Sequence, residues 1–235
     1  MKSRLGVRNL RDGRPGIRVL AAGMVALACG TAAADSPCPE CPPLVELPTG
    51  VAMTRSEVTF DQWEACVRAG GCPGGQDDHG WGRATRPVIN VSWEGARRYA
   101  TWLGGRLRRV CRLPTEAEWE AAAAAGTTSR FWWGDAVAEG MANCRDCGPE
   151  PVYGTLPAGS FPANPWGLVD MNGNVWEWTA DCWTADAAAC RDRVIKGGSW
   201  YYFSPNARTT ARARNDARLG SYNIGVRVVC EGRPR

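Results

Sequence analysis

Three segments in the first half of the chain combine helix-start residues with mixed apolar and polar positions. Each begins after a hydroxyl side chain that can accept a hydrogen bond from the first turn: Thr59, Ser92 and Thr115. Thr59 is followed three residues later by Gln62, and Thr115 by Glu118, which is the pattern of a capping box. Glycines mark each expected end. The sequence therefore predicts helices to about Ala69, to about Leu103 before Gly104-Gly105, and to Gly126.

The rest of the chain lacks helical periodicity. It contains short runs rich in β-branched and aromatic residues, bounded by Gly, Asn, Asp and Pro, which are typical of short strands. A few helices followed by irregular short strands indicate an α+β fold, in which disulfides and buried tryptophans stabilise much irregular chain. The predicted strands are 44–47, 152–161, 167–171, 175–179, 193–196 and 225–229.

The first 34 residues have the order of a secretory signal. Six basic residues and one acid precede a ten-residue apolar run that ends at Ala28, which is too short to span a bilayer as a helix. Ala32-Ala33-Ala34 then offers a cleavage site. A disordered arm with a short core helix is one alternative, and lipidation at Cys29 is another. We expect residues 1–34 to be a signal peptide and the mature protein to be secreted or periplasmic.

Charge and composition exclude several classes of function. The formal net charge is +4, but residues 1–34 contribute +5, so the remainder carries −1 and has no basic tail for nucleic acid. His79 is the only histidine, so a metal site built on two or three imidazoles is excluded. No other segment approaches about 18 consecutive apolar residues, so no membrane span is expected in the mature chain.

Cysteine usage also suits an oxidising compartment. Of the 11 cysteines, Cys29 lies in the predicted signal, and the remaining number is even. Short spacings suggest disulfides, and Cys111 and Cys230 are then left as a long-range pair, although spacing alone does not fix connectivity. A zinc site built from two C-x-x-C motifs, Cys38/Cys41 and Cys144/Cys147, is the alternative. The suggested short pairs are Cys38–Cys41, Cys66–Cys72, Cys144–Cys147 and Cys182–Cys190.

Four long segments stand in a fixed order. They are RPVINVSWEGARRYATWL at 86–103, RLPTEAEWEAAAAAG with FWWGD at 112–135, FPANPWGLVDMNGNVWEWTADCW at 161–183, and VIKGGSWYY with NIGVRVVC at 194–230. In this order they resemble the formylglycine-generating enzyme (sulfatase-modifying factor) family. The resemblance implies an α+β fold related to C-type lectins and poor in regular secondary structure. The Pro-rich composition of residues 35–50 indicates a Pro/Cys-rich linker and first strand, and the resemblance implies the family domain at 51–231.

The family's chemistry depends on two thiolates that the matching stretch does not contain. Its members oxidise a cysteine of a nascent sulfatase to formylglycine with molecular oxygen and a Cu(I) ion, and Cu(I) prefers soft thiolate ligands. The resemblance puts these two cysteines a few residues after the GGS motif. The stretch from Ser199 to Ala207 has none, and none lies between Cys190 and Cys230. We therefore do not expect copper, and whether the chain is an enzyme stays open.

The resemblance also implies calcium at two places. The turn Asn172-Gly173-Asn174 tolerates positive φ and is flanked by carboxylates, which are the hard oxygen donors that calcium prefers. A hydrogen-bonded turn with a buried glutamate is the alternative. The first implied site comprises Asp170, Gly173, Val175 and Glu177. The second, with a shortened loop, comprises Asn143, the Cys144 carbonyl, Glu150 and the Val152 carbonyl.

The wall of the family's pocket has counterparts near the GGS motif. By resemblance, Ser199 matches its serine, Asn223 matches the asparagine before the last motif, and Arg212 or Arg214 matches an arginine of the peptide groove. Polar loop residues usually tie loops together, which is the alternative for Ser199 and Asn223. Further pocket candidates are Tyr201 and Tyr202.

Three functions remain open at this point. The first is an exported, divergent oxidoreductase-like enzyme of unknown substrate. The second is a non-catalytic, lectin-like binding module for a peptide, glycan or protein partner, since a surface rich in Trp, Tyr and Arg suits recognition. The third is formylglycine generation by another ligand set. The expected partner is an unknown peptide, protein or small-molecule ligand, and nucleic acid is not expected.

Overall fold

The computed structural model describes residues 38–150, 152–185 and 190–231. The predicted signal peptide, its cleavage site and Cys29 lie outside the described residues. No helix within the described ranges is both long and apolar enough to cross a bilayer. The strands are β1 (Leu44–Glu46), β2 (Val51–Thr54), β3 (Cys111–Arg112), β4 (Trp176–Cys182), β5 (Asp192–Lys196), β6 (Arg212–Asp216), β7 (Ile224–Gly225) and β8 (Val229–Glu231).

The strands form two four-stranded sheets. The first has the order β1-β2-β8-β3 with antiparallel pairs, so the start and the end of the described chain lie side by side. The second has the order β6-β5-β4-β7, in which only the β4–β7 pair is parallel. The chain thus has mixed sheets and few helices, as an α+β fold requires.

Three helices lie where the capping residues predict them: α1 (Phe60–Arg68), α2 (Trp93–Leu107) and α3 (Glu116–Ala124). Both capping boxes are present. The predicted end of α2 at the glycine pair is wrong, because the helix continues to Leu107 and ends at Arg108 in a left-handed conformation. A Cβ on Gly104 would lie 2.6 Å from the Arg109 carbonyl oxygen. This glycine therefore permits a close approach of the chain and does not stop the helix.

Two predicted strands, 152–161 and 167–171, are irregular segments instead. Their backbone groups bond to side chains and turns: the Leu156 N–H donates to Asn174 Oδ1, and the Val169 N–H donates to the Arg55 carbonyl. The predicted strand 225–229 is divided between β7 and β8, which belong to different sheets. The pattern missed β2, β3 and β6, which are short or exposed. Residues 38–50, expected as a linker and strand, contain β1 and pack Cys38 into the core.

Disulfides and tryptophans stabilise the irregular parts. Trp63, Trp119, Trp176 and Trp178 are fully buried. Every cysteine within the described residues is in a disulfide, so the thiolates required by the zinc alternative are not present. The pairs are those that the spacing suggested: Cys38–Cys41, Cys66–Cys72, Cys111–Cys230, Cys144–Cys147 and Cys182–Cys190.

Candidate functional site

The GGS motif turns the chain sharply after β5. Gly197 and Gly198 both have positive φ, at 98° and 76°. A Cβ on Gly198 would lie 2.7 Å from the Cα of Ala207, in a short 3₁₀ helix at Ser204–Ala207. Only glycine lets the two backbones approach so closely. The motif therefore fixes the path of residues 199–207, the stretch in which the family's thiolates are expected.

Ser199 and Asn223 lie together, as the resemblance implies, but they are buried. The Asn223 amide donates to Ser199 Oγ at 3.4 Å, and the Ser221 hydroxyl donates to Asn223 Oδ1 at 2.7 Å. Ser199 is fully buried. This pair ties two loops together and does not present a reactive hydroxyl to solvent, which agrees with the structural alternative. The loop residues next to them, Trp200 and Tyr222, meet with ring centroids 5.8 Å apart.

Five rings form a continuous cluster that we call the aromatic surface: Trp81, Trp200, Tyr201, Tyr202 and Tyr222. Trp200 is its centre, with centroids 5.0 Å from Trp81 and 5.5 Å from Tyr201. Tyr201 and Tyr202 are 42% and 39% exposed, and neighbouring Phe203 is 55% exposed. Burial and the two nearby tyrosines raise the pKa of Tyr222. Large rings, exposed together around a buried ring, make this the clearest candidate binding surface among the described residues.

Arg145 borders the aromatic surface. Its guanidinium carbon lies 5.8 Å from the Tyr201 ring centroid, and 5.7 Å from those of Phe203 and Tyr153. The Arg145 N–H donates to the Tyr202 carbonyl at 2.9 Å, which fixes the turn that carries it. Such contacts hold a guanidinium over rings and leave its N–H groups free for a partner.

Sequence reasoning missed part of this surface. Tyr201 and Tyr202 were candidates, whereas Trp81, Tyr222 and Arg145 come from loops far from the GGS motif. The excess of tryptophan, 12 residues, was the signal that could have indicated an aromatic site. It could not say which rings are exposed, because four tryptophans are in the core.

The two arginines assigned to the peptide groove lie elsewhere. Arg212 and Arg214, on β6, pair with Glu116 at 2.9 Å and with Asp192 at 3.2 Å. Both guanidinium groups also lie over the Trp183 ring. Their contacts within the described chain are with the second sheet and α3, so the structure does not bring them to the Ser199–Asn223 pair.

Glu177 of the first implied calcium site is part of a buried ion pair. Arg227, fully buried, donates to both carboxylate oxygens at 2.8–3.0 Å, and the Trp119 indole N–H donates to Glu177 Oε2 at 2.6 Å. The remaining Arg227 N–H groups bond to the carbonyls of Thr54, Arg55 and Val169. With its carboxylate satisfied by a guanidinium and an indole, Glu177 does not fit the role of a calcium ligand.

Asp170, the other carboxylate of that set, lies near a second buried carboxylate, that of Glu57. It is 5% exposed, its Oδ2 accepts a hydrogen bond from the Gly159 N–H, and its Oδ1 has no partner in the described chain. Glu57, fully buried, accepts from the Asn174 amide at 3.0 Å and likewise has one unpartnered oxygen. Burial, together with the Asp170 carboxylate, raises the pKa of Glu57 well above its usual value. Burial also raises the pKa of Asp170.

The turn around Gly173 is fixed by backbone contacts. A Cβ on Gly173 would lie 2.4 Å from the Asn143 carbonyl oxygen, and that oxygen accepts from the Asn174 N–H at 2.8 Å. The turn is therefore built by hydrogen bonds and close packing. The side chain of Val175, which follows this turn, is fully buried in the main hydrophobic core.

The second implied calcium set is only partly brought together. Asn143 is buried and its amide donates to the Gly154 carbonyl and to Asn174 Oδ1. Cys144 and Val152 line the same surface cleft as Asn143. Glu150 is exposed and does not line that cleft. The structure therefore brings three of the four implied residues to one cleft and leaves Glu150 outside its lining.

Comparison with known proteins agrees with this architecture. The model of the sulfatase-modifying factor enzyme 1-like domain matches residues 14–232. The formylglycine-generating enzyme of Mus musculus is 34% identical over 187 residues, which are 69% of this chain and 49% of that protein. A protein of Bos taurus named inactive C-alpha-formylglycine-generating enzyme 2 is 37% identical over 164 residues, 63% of this chain and 52% of its own length. The chain thus spans about half the length of these relatives.

A solved structure is similar over nearly its whole length. PvdO from Pseudomonas aeruginosa superposes with a TM-score of 0.69 and 25% identity, covering 83% of this chain and 97% of PvdO. The family match extends over most of the chain and includes the GGS turn and the loops that carry the aromatic surface. The chain belongs to the formylglycine-generating enzyme (sulfatase-modifying factor) family.

Proposed function

We propose that this chain is an exported member of the family that does not generate formylglycine and that binds a polypeptide partner through the aromatic surface. One observation carries the proposal. The stretch after the GGS motif, where the resemblance implies two thiolates, exposes Tyr201, Tyr202 and Phe203 instead. Aromatic residues with arginine are the side chains that contribute most to protein recognition.

The cysteines support the same conclusion. A Cu(I) site of the family's type needs two thiolates. Each cysteine in the described ranges is already paired with another, and the pairs lie outside residues 199–207. The relatives of this chain also include a protein that is itself named inactive C-alpha-formylglycine-generating enzyme 2. A member that keeps the fold but has lost the reaction is therefore consistent with what is found among its relatives.

The ring geometry favours a polypeptide over a glycan. The ring pairs Trp81–Trp200, Trp200–Tyr201 and Tyr201–Tyr202 have interplanar angles of 79°, 83° and 86°. Rings packed edge to face present their edges as well as their faces to a partner. Ring edges together with the Arg145 guanidinium suit a polypeptide, which offers both apolar side chains and backbone carbonyls.

The chemical half of the proposal is tested with a CxPxR peptide incubated aerobically with the purified chain, with and without Cu(I). We expect mass spectrometry to detect no conversion of the cysteine to an aldehyde. Conversion would overturn the proposal in favour of formylglycine generation. A stoichiometric redox metal in the purified protein would overturn it in favour of a divergent oxidoreductase.

The binding half is tested on peptide and glycan arrays with wild-type protein and the variants Tyr201→Ala and Phe203→Ala. We expect peptide binding to fall by about tenfold in each variant, because Tyr201 belongs to the aromatic surface and Phe203 is exposed beside it. Val110→Ala is the matched control, since Val110 is 59% exposed but lies outside the aromatic surface. Binding to glycans alone, or peptide binding that the ring variants do not weaken, would contradict the proposal.

A further inference from the structure

Arg145, at the edge of the aromatic surface, carries a charge that the described chain does not neutralise. Its guanidinium carbon lies 5.7–5.8 Å from the ring centroids of Tyr153, Tyr201 and Phe203, and all three rings are exposed. Among the described residues, no carboxylate pairs with this guanidinium and no acceptor bonds to its N–H groups. The guanidinium is therefore available to an anionic group of a partner.

The charged groups around Arg145 have other partners. Asp146, the next residue, accepts hydrogen bonds from the Ser204 N–H at 2.6 Å and from the Ser204 hydroxyl at 2.8 Å. Arg212 shows what a neutralised counterpart looks like, because its guanidinium also lies over a ring but pairs with Glu116 at 2.9 Å. Both arginines thus have ring contacts, and the ion pair is the difference between them.

Two further arginines extend the positive charge along the loop that follows Phe203. Arg130 and Arg208 line a cleft of about 80 Å³ together with Asp135 and the first residues of the 3₁₀ helix. Both arginines are exposed, and neither pairs with a carboxylate within the ranges that the structure describes. Asp135 accepts a hydrogen bond from the Arg130 backbone N–H at 2.9 Å. The cleft therefore carries more positive than negative charge.

An unsatisfied donor lies at the centre of the aromatic surface. Trp200 is 7% exposed, and its indole N–H finds no acceptor among the described residues. Burial raises the pKa of Tyr222, so its phenol is protonated at neutral pH and can donate a hydrogen bond. Buried donors are normally paired, so a partner that brings acceptors complements this surface better than one that brings further donors.

We propose that the partner of the aromatic surface is an acidic polypeptide segment, in which an Asp or Glu carboxylate pairs with Arg145 while adjacent apolar side chains contact the rings. The inference deepens the proposed function and rests on it, because it names the class of polypeptide that the surface selects. A guanidinium can bind a carboxylate through two parallel N–H bonds, and ring contacts limit its motion without using those N–H groups. Further acidic residues of the segment match the positive charge of the neighbouring cleft.

The first test compares three sets of short, capped peptides on the wild-type protein. All contain the same Leu, Tyr and Phe residues, flanked by Asp and Glu, by Asn and Gln, or by Lys and Arg, and capping removes the terminal charges. We expect the acidic set to bind at least about tenfold more tightly than the amide set, and the basic set to bind most weakly. The acidic preference should shrink as sodium chloride is raised from about 0.05 to about 0.5 M, because salt screens exposed charges.

The second test changes the protein. Arg145→Gln removes the charge, Arg145→Lys keeps the charge but not the planar fork, and Arg212→Gln is the matched control whose guanidinium is already paired. We expect Arg145→Gln to reduce binding of the acidic set to the level of the amide set, and Arg145→Lys to retain part of the preference. Arg212→Gln should leave the preference unchanged. Circular dichroism verifies that each variant is folded.

The outcomes separate this inference from the proposed function. Equal binding of the acidic and amide sets, weakened by Tyr201→Ala, would overturn the acidic preference and leave a surface that binds polypeptides. An acidic preference that survives Arg145→Gln would overturn the role of Arg145. Binding to none of the peptides would overturn both proposals, and binding to phosphatidylglycerol vesicles alone would replace the polypeptide by an anionic lipid surface.

Discussion

Arg227 offers the sharpest test of what holds the interior together. Its guanidinium is fully buried and bonds to both oxygens of Glu177 and to three backbone carbonyls. Arg227→Met keeps the length and apolar stem of the side chain but removes the charge and all of its donors. The substitution leaves a buried carboxylate with the Trp119 indole as its remaining hydrogen-bond partner among the described residues.

The expected loss of stability follows from these contacts. Breaking a buried ion pair by removing one partner costs about 3–5 kcal/mol, because the other charge stays buried and uncompensated. Carbonyls that lose their donors add about 1 kcal/mol each unless water reaches them. We therefore expect the free energy of unfolding to fall by at least about 4 kcal/mol, a large part of the total for a domain of this size.

The measurement is urea unfolding at neutral pH, extrapolated linearly to water. Arg212→Met is the matched control, because Arg212 pairs with Glu116 at 2.9 Å but is 42% exposed, and we expect it to cost less than about 1 kcal/mol. Adding Glu177→Leu to Arg227→Met removes the uncompensated charge, and it should recover part of the loss. If Arg227→Met costs no more than Arg212→Met, the reasoning about the buried pair is wrong.

The same reasoning predicts the response to calcium. If Arg227 is the counter-ion of Glu177, calcium has no role at that carboxylate, and neither EDTA nor about 10 mM calcium should shift the thermal midpoint of wild-type protein. A real site with an affinity of about 0.1 mM, as in extracellular calcium modules, would add about 2.7 kcal/mol at this concentration. A stabilisation of that size, abolished by Glu177→Gln, would refute the assignment and restore calcium at the turn.

Three further predictions follow from local geometry. A hydrogen bond from the Arg112 side chain lowers the pKa of Glu118 to about 2. The contribution of Glu118 to stability is therefore present above about pH 4.5 and is lost as the pH falls towards 2. Glu118→Gln should lower the urea midpoint at pH 7 but not at pH 2. Replacing Cys111 and Cys230 together by alanine opens a bridge across 119 residues and should cost about 4 kcal/mol in the same assay. Gly198→Ala should cost at least about 1 kcal/mol, because its φ is positive and its Cβ would contact the 3₁₀ helix; a neutral effect would show that the GGS turn relaxes.

The sequence could predict the elements that local chemistry determines. Thr59 and Thr115 cap α1 and α3 because their side chains satisfy backbone N–H groups within three residues. Short spacing also suggested the short-range disulfides, although it left a zinc site open as the alternative. The end of α2 could not be predicted, because it depends on the Arg109 carbonyl packing against Gly104, which is a contact made by the later chain.

The candidate site depends on contacts that are distant in sequence. Arg227 pairs with Glu177 across 50 residues, and its carbonyl partners on Thr54 and Arg55 are more than 170 residues away. The pattern of apolar and polar residues carries no information about such distant pairs. The sequence could therefore indicate that Glu177 is buried, but not that Arg227 is its counter-ion. The aromatic surface has the same origin, since Trp81 and Trp200 come from separate loops.

In the GGS region, the residues that fix the backbone differ from the residues whose exposed side chains determine function. Gly198 and the buried Ser199–Asn223 hydrogen bond set the path of the loops, and substitution there would change the fold. Tyr201 and Tyr202 are about two-fifths exposed, and their exposed parts are available to a partner. The frame is thus evidence for the fold, whereas function must be argued from the exposed positions. At those positions this chain carries aromatic rings, which lack the thiolates that Cu(I) prefers.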